Sequence, residues 1–151
     1  MTVLETALDD LSPQVIAHVA DSALQRGALD VMLTPVIMKK GRPGTLITIL
    51  CAPNKSAEFE QLLLRETSTL GVRIRQDRRV CLERGHVTVP TLYGQVRVKV
   101  GMLHGETLNV QPEFEDCRSA ALQHQVPVKQ VQHAALAAYA TTLSENEESH
   151  A

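Results

Sequence analysis

The chain has 151 residues, 44% hydrophobic and 21% charged, with a formal net charge of -2. That suits one domain with a real core, or one domain with appendages, and the near-neutral balance argues against a general nucleic-acid or membrane-surface binder. No apolar run is long enough to span a bilayer, and the N-terminus carries no signal-peptide pattern.

In chain order, Val3 to Leu8 reads as a first strand ending in Asp9 and Asp10. Ser12 supplies an N-cap with Pro13 at the first helical position. Val15, Ile16, Val19, Ala20, Ala23 and Leu24 recur at helical spacing, and Gly27 stops the run. Val31 to Met38 and Thr45 to Cys51 read as the second and third strands, joined by Lys39-Lys40-Gly41-Arg42-Pro43-Gly44. After Pro53, Asn54 or Ser56 caps a second helix that carries Phe59, Leu62, Leu63 and Leu70 and closes at Gly71. Val72 and Ile74 alternate with Arg73 and Arg75 as a fourth strand.

Strand, helix, strand, strand, helix, strand is the split βαβ order of a ferredoxin-like antiparallel sheet, an α+β fold. Its second and fourth strands are edges. Pro35 in the second strand fits an edge, and the arginines of the fourth guard against edge pairing. Leu46 to Leu50 is nearly continuous apolar sequence, as a central strand should be. Helices cover one face only, so the rest of the chain or another subunit is expected on the other.

Beyond this core, Val87 to Thr91 and Gln95 to Val100 flank Leu92-Tyr93-Gly94 as an added β-hairpin, with a short strand over Thr107 to Val110. Pro112 starts a helix through Asp116, Cys117 and Leu122, and Pro127 starts an alanine-rich one through Ala140. The expected organisation is a ferredoxin-like core over residues 1–85, the hairpin over 86–111, C-terminal helices over 112–143 and a frayed acidic tail over 144–151. Cys51, Cys81 and Cys117 lack metal or redox spacing and read as free thiols of a reducing cytoplasm.

The basic loop can bring backbone N–H groups and cations against phosphate, although it lacks the Gly-Lys-Ser/Thr ending of a P-loop. In the split topology, the ends of the first strand, second strand and second helix share one rim. Asp9 and Asp10 should therefore meet Lys39, Lys40 and Arg42, with Arg65 to Gly71 and Arg73 beside them. Carboxylates suit a hard divalent cation arriving on phosphates, and hydroxyls of Thr67, Ser68 or Thr69 can complete the cradle. The plainer alternative is a solvated turn, carboxylates placed before a helix N-terminus and a surface Arg65–Glu66 pair.

Six segments, quoted in order, carry a resemblance: Glu5-Thr6-Ala7-Leu8-Asp9-Asp10-Leu11-Ser12-Pro13; Gly27 to Val31 with Thr34-Pro35; Met38 to Leu46; Arg65 to Arg73; Tyr93 to Lys99; and Asn109 to Cys117. Together they resemble the C-terminal region of the LarC family, nickel-insertion proteins of nickel-pincer nucleotide cofactor biosynthesis. Relatives usually have Asn and Ile where this chain has Ala7 and Leu8, and Asn and Glu where it has Ser12 and Gln14. The resemblance implies a cyclometallase (a lyase) that inserts nickel, its substrate metal, into a pyridinium bis-thiocarboxylic acid mononucleotide. It also implies hydrolysis of CTP with Mn2+ or Mg2+, and assembly into a homo-oligomer, a trimer or hexamer. The family's N-terminal half is not in this sequence, so the full reaction is expected to need that region as a partner.

With the resemblance, Asp9, Asp10 and Glu66 are candidates for metal ligation, and Lys39, Lys40, Arg42, Arg65, Thr67, Ser68 and Arg73 for the nucleotide. Glu113, Glu115 and Asp116 are candidate bases for the ring proton, or simply helix N-terminal acidity. Arg97 and Lys99 either reach a phosphate or form a solvated strand face. The six histidines show no ligand spacing and none is assigned to nickel. An RNA-binding sheet is disfavoured because the aromatics lie off the central strands, and a DNA-reading helix because the last helix begins with Lys129 as its one cation. The remaining alternative is a non-catalytic oligomeric nucleotide-binding or regulatory module.

Overall fold

The structure, a computed structural model, describes the backbone of residues 1–148 and the side chains of residues 1–142. It divides into two compact units, Met1–Arg79 and Val80–Ala151. In the first, the order is β1 (Thr2–Leu8), α1 (Pro13–Gln25), β2 (Asp30–Met38), β3 (Arg42–Cys51), α2 (Ser56–Glu66) and β4 (Arg73–Gln76). The sheet runs β2-β3-β1-β4 with every pair antiparallel, which is the ferredoxin-like arrangement. Pro35 sits opposite Thr45 on the outermost strand, where its missing N–H breaks no ladder on the free side.

Alternation along the strands turns Leu4, Leu8, Ile47, Ile49 and Cys51 to one face, where they meet Ile16, Val19 and Ala23 of α1 and Phe59, Leu62 and Leu63 of α2. Ser12 caps α1 by accepting from the Val15 amide at 3.4 Å. Predicted from the sequence to reach Gly71, α2 instead ends at Glu66. Thr67 turns to extended backbone, its amide and hydroxyl both spent on the Leu63 carbonyl at 3.2 and 2.6 Å. Leu70, expected on the apolar face of that helix, is fully exposed in the following loop.

In the second unit, β5 (Glu83–Thr91), β6 (Gly94–Leu103) and β7 (Glu106–Pro112) form an antiparallel sheet in sequence order, followed by α3 (Phe114–His124) and α4 (Val128–Glu148). Val89, Val96, Val98 and Val100 pack against Cys117, Ala120 and Ala121 of α3 and Val131, Ala135 and Tyr139 of α4. The hairpin and helices, expected as separate segments over 86–111 and 112–143, thus bury one shared core, and the unit boundary falls between Arg79 and Val80. Pro112 closes β7 rather than starting a helix. The backbone of α4 continues to Glu148, into the segment predicted as a tail; positions 149–151 of that prediction lie outside the described residues. Among the described residues, no helix is long and apolar enough to cross a membrane.

Candidate functional site

The end of β1 brings two carboxylates to one rim of the first unit, each held by a different segment. Asp9 Oδ2 accepts from Arg42 Nη1 at 3.3 Å, and Asp10 Oδ1 accepts from the Ser68 hydroxyl at 2.5 Å. The acidic turn, the start of β3 and the loop after α2 therefore converge, although they are 33 and 58 positions apart in sequence. Beside Asp9 opens a hollow of about 220 Å³, walled by Leu8, Leu11, Pro13, Ile16 and Pro43. At Gly44, on its border, a Cβ would stand 2.6 Å from the Leu8 carbonyl oxygen, so β3 passes β1 there only without a side chain.

Between β2 and β3 the chain makes one 3-10 turn, Lys39–Gly41. Lys40 has φ 64° and Gly41 φ 70°. A lysine in left-handed backbone costs roughly 1–2 kcal/mol relative to ordinary helical backbone, and such strain gathers at ligand-binding segments. Lys39 and Lys40 are exposed and form no ion pair or side-chain hydrogen bond among the described residues.

Not every predicted site residue joins this rim. Arg65 donates to Gln61 at 3.2 Å, and Thr67 spends its proton on Leu63. Arg73 lies opposite Glu5 on β4, its Nε 4.0 Å from that carboxylate. Arg75 holds Glu5 more closely, at 2.8 Å, and its hydrogen bond keeps the Glu5 carboxyl below the usual range. Glu66 is exposed at the end of α2. Among the described residues no three His, Cys, Asp or Glu side chains gather as a metal site. Of the predicted trio Asp9, Asp10 and Glu66, the two aspartates are bonded to Arg42 and Ser68, while Glu66 closes α2 with no hydrogen bond or ion pair to a described residue. Two carboxylates are what a hard cation carried on phosphate oxygens ordinarily takes from protein.

In the second unit, Asp116 accepts from Arg97 Nε and Nη2 at 2.9 and 2.8 Å and from the Arg97 amide at 3.0 Å. These bonds lower its carboxyl to about 2. A general base works best with a pKa near the working pH, so Asp116 is a feeble one and instead pins the first turn of α3 to β6. The pair lines a wider hollow of about 500 Å³ with Thr88, Gln95, Ser119 and Gln123. Glu115 pairs with Arg118 at 2.7 Å. Glu113 accepts from His86 Nε2 at 3.1 Å and Lys99 at 3.4 Å, and the His86 bond, foremost, holds its carboxyl low. His86 carries no spacing signal in the sequence. Only its register opposite Lys99 brings it to Glu113.

Because Asp116 has a folded value near 2 against an ordinary 3.8, its contribution to stability is full above about pH 4 and lost as pH falls to about 2. An NMR titration of Asp116 is expected to show its midpoint near 2, moving back toward the ordinary carboxylate value in Arg97→Ala.

Comparison with known proteins agrees over most of the chain. The family model described as "Nickel insertion protein" matches residues 1–132. A curated relative of Gloeobacter violaceus, bearing the name nickel insertion protein, is 52% identical over 136 residues, covering 90% of this chain and 32% of that protein. One of Myxococcus xanthus is 48% identical over 136 residues, covering 90% and 35%. The chain spans about a third of the length of these curated relatives. Among solved structures, the apo form of LarC2, the C-terminal domain of a cyclometallase involved in synthesis of the NPN cofactor of lactate racemase, superposes with TM-score 0.86. It is 38% identical, and 91% of this chain and 95% of that one are covered. A Methanopyrus kandleri AV19 protein superposes with TM-score 0.70 at 26% identity, covering 91% and 85%. From the extent of these matches, the chain belongs to the nickel insertion protein family.

Proposed function

We propose that this chain is the CTP-binding and CTP-hydrolysing part of a cyclometallase that inserts nickel, as substrate, into a pyridinium bis-thiocarboxylic acid mononucleotide. The observation that carries this reading is the pairing of Asp9 with Arg42, the residue that follows the Lys39–Gly41 turn, and of neighbouring Asp10 with Ser68. Lys39, Lys40 and Arg42 neutralise the triphosphate oxygens, Arg42 as a planar fork and the lysines as point charges. Arg65, bonded to Gln61, and Arg73, beside Glu5, add positive charge that attracts the triphosphate. The hard carboxylate oxygens of Asp9 and Asp10 fit Mn2+ or Mg2+, and that ion, when bound, offsets phosphate charge. The apolar wall of Leu11, Pro13 and Pro43 suits the face of a flat ring.

For the ring proton, Glu113, bonded to the His86 imidazole, is the preferred base, because both Asp116 oxygens are committed to Arg97. In this reading the remaining steps belong to the part of the curated relatives that this chain does not span. Free Cys51, Cys81 and Cys117 support a cytoplasmic setting for this reading. The exposed Leu33 and Ile37 of β2 suit assembly with further copies.

A screen of the four nucleoside triphosphates by thermal unfolding tests the reading. CTP with Mn2+ is expected to raise the melting temperature by several degrees, since ligand at 100 times its Kd adds about 2.7 kcal/mol to the folded state. No shift with any nucleotide contradicts it. Binding without phosphate release in the full-length protein would favour the regulatory module over the enzyme.

A further inference from the structure

Resting on that reading of the rim, we propose that Thr6 is a positioning residue: its hydroxyl latches the loop after α2 to β1 and thereby aims Asp10 at the metal–nucleotide. Thr6 is 2% exposed, and a hydroxyl buried to that degree needs a hydrogen-bond partner. Its nearer partner is the Thr69 hydroxyl, 2.5 Å away and 63 positions along the chain, with the Gly71 carbonyl farther off at 3.4 Å. Thr69 donates its own proton to the Gly71 carbonyl at 2.8 Å, which leaves the Thr6 proton for Thr69.

Strand pairing explains why a latch is needed at this height. The β1–β4 register ends at Glu5 opposite Arg73, so beyond Glu5 no backbone ladder holds that side of β1 to the chain arriving from α2. The Thr6–Thr69 contact is the next link above it. On the other side of the loop, Thr67 is tied to the Leu63 carbonyl of α2 and accepts from the Thr69 amide at 3.2 Å. Ser68 thus stands between two anchored threonines. Its own exposed hydroxyl is the one that reaches Asp10. Residues that orient a carboxylate ligand typically govern metal affinity by 10–100-fold without touching the metal.

The test is calorimetric titration of CTP, with and without Mn2+, into wild type, Thr6→Val, Thr6→Ser, Thr69→Ala and Asp10→Asn. Thr6→Val keeps the shape and removes the hydroxyl. It is expected to weaken Mn2+-dependent binding about tenfold while leaving metal-free CTP binding unchanged. Thr6→Ser restores wild-type affinity, and Thr69→Ala, altered at the loop rather than in the sheet, reproduces the loss should Thr6→Val fold poorly. Wild-type affinity in both Thr6→Val and Thr69→Ala overturns the proposal. So does an equal loss with and without metal, which marks a structural role alone. If Asp10→Asn itself binds Mn2+–CTP normally, the rim reading falls and the latch with it; if only Asp10→Asn is impaired, the rim stands and the latch does not.

Discussion

Replacing Asp9 and Asp10 together by alanine is expected to weaken Mn2+-dependent CTP binding at least about 100-fold while the protein stays folded. The size follows from removing two charged contacts, each of order 1.5–3 kcal/mol where ligand and protein exclude water. Folding loses little, because the Asp9–Arg42 pair is a single surface ion pair. Calorimetry should find the metal-dependent gain in affinity gone. Lys39→Ala with Lys40→Ala should instead weaken CTP with and without metal, because in the proposed site those side chains meet phosphate rather than the ion. A double aspartate variant that binds Mn2+–CTP as wild type does would remove the carboxylates from the site.

The largest effect on stability is expected at Phe59→Ala. Phe59 is completely buried at the centre of the first unit, between the sheet and α1. Truncation removes the apolar burial and leaves a cavity that rigid strands on one side cannot fill, a loss of about 3–5 kcal/mol. For a chain of this size that lowers the melting temperature on the order of 10 °C. Thermal unfolding followed by circular dichroism measures it. A shift of one or two degrees would mean that α2 does not hold the sheet as described, and the rim at its C-terminal end would lose its scaffold.

Much of the first unit was legible in the sequence because its signals are local. The Ser12-Pro13 start of α1, the apolar run Leu46–Leu50 and the edge proline Pro35 each have a physical meaning within a few residues. The end of α2 was not legible, since Leu70 continues the apolar pattern while the Thr67 side chain takes the Leu63 carbonyl and turns the chain. Strands β5 and β6 run longer than predicted because Arg84, His86 and Gly101 interrupt the apolar alternation. At the site, topology alone was enough to bring Asp9 toward Arg42. Thr6–Thr69 and His86–Glu113 were beyond it, because each depends on side-chain register across elements that carry no joint sequence signal.

The most direct measurement is anomalous diffraction at the manganese edge from crystals of this chain grown with CTP and Mn2+. A peak within coordination reach of Asp9 or Asp10, with triphosphate density running toward the Lys39–Gly41 turn, is the predicted result. A peak away from both aspartates, with the triphosphate held elsewhere, would contradict the account.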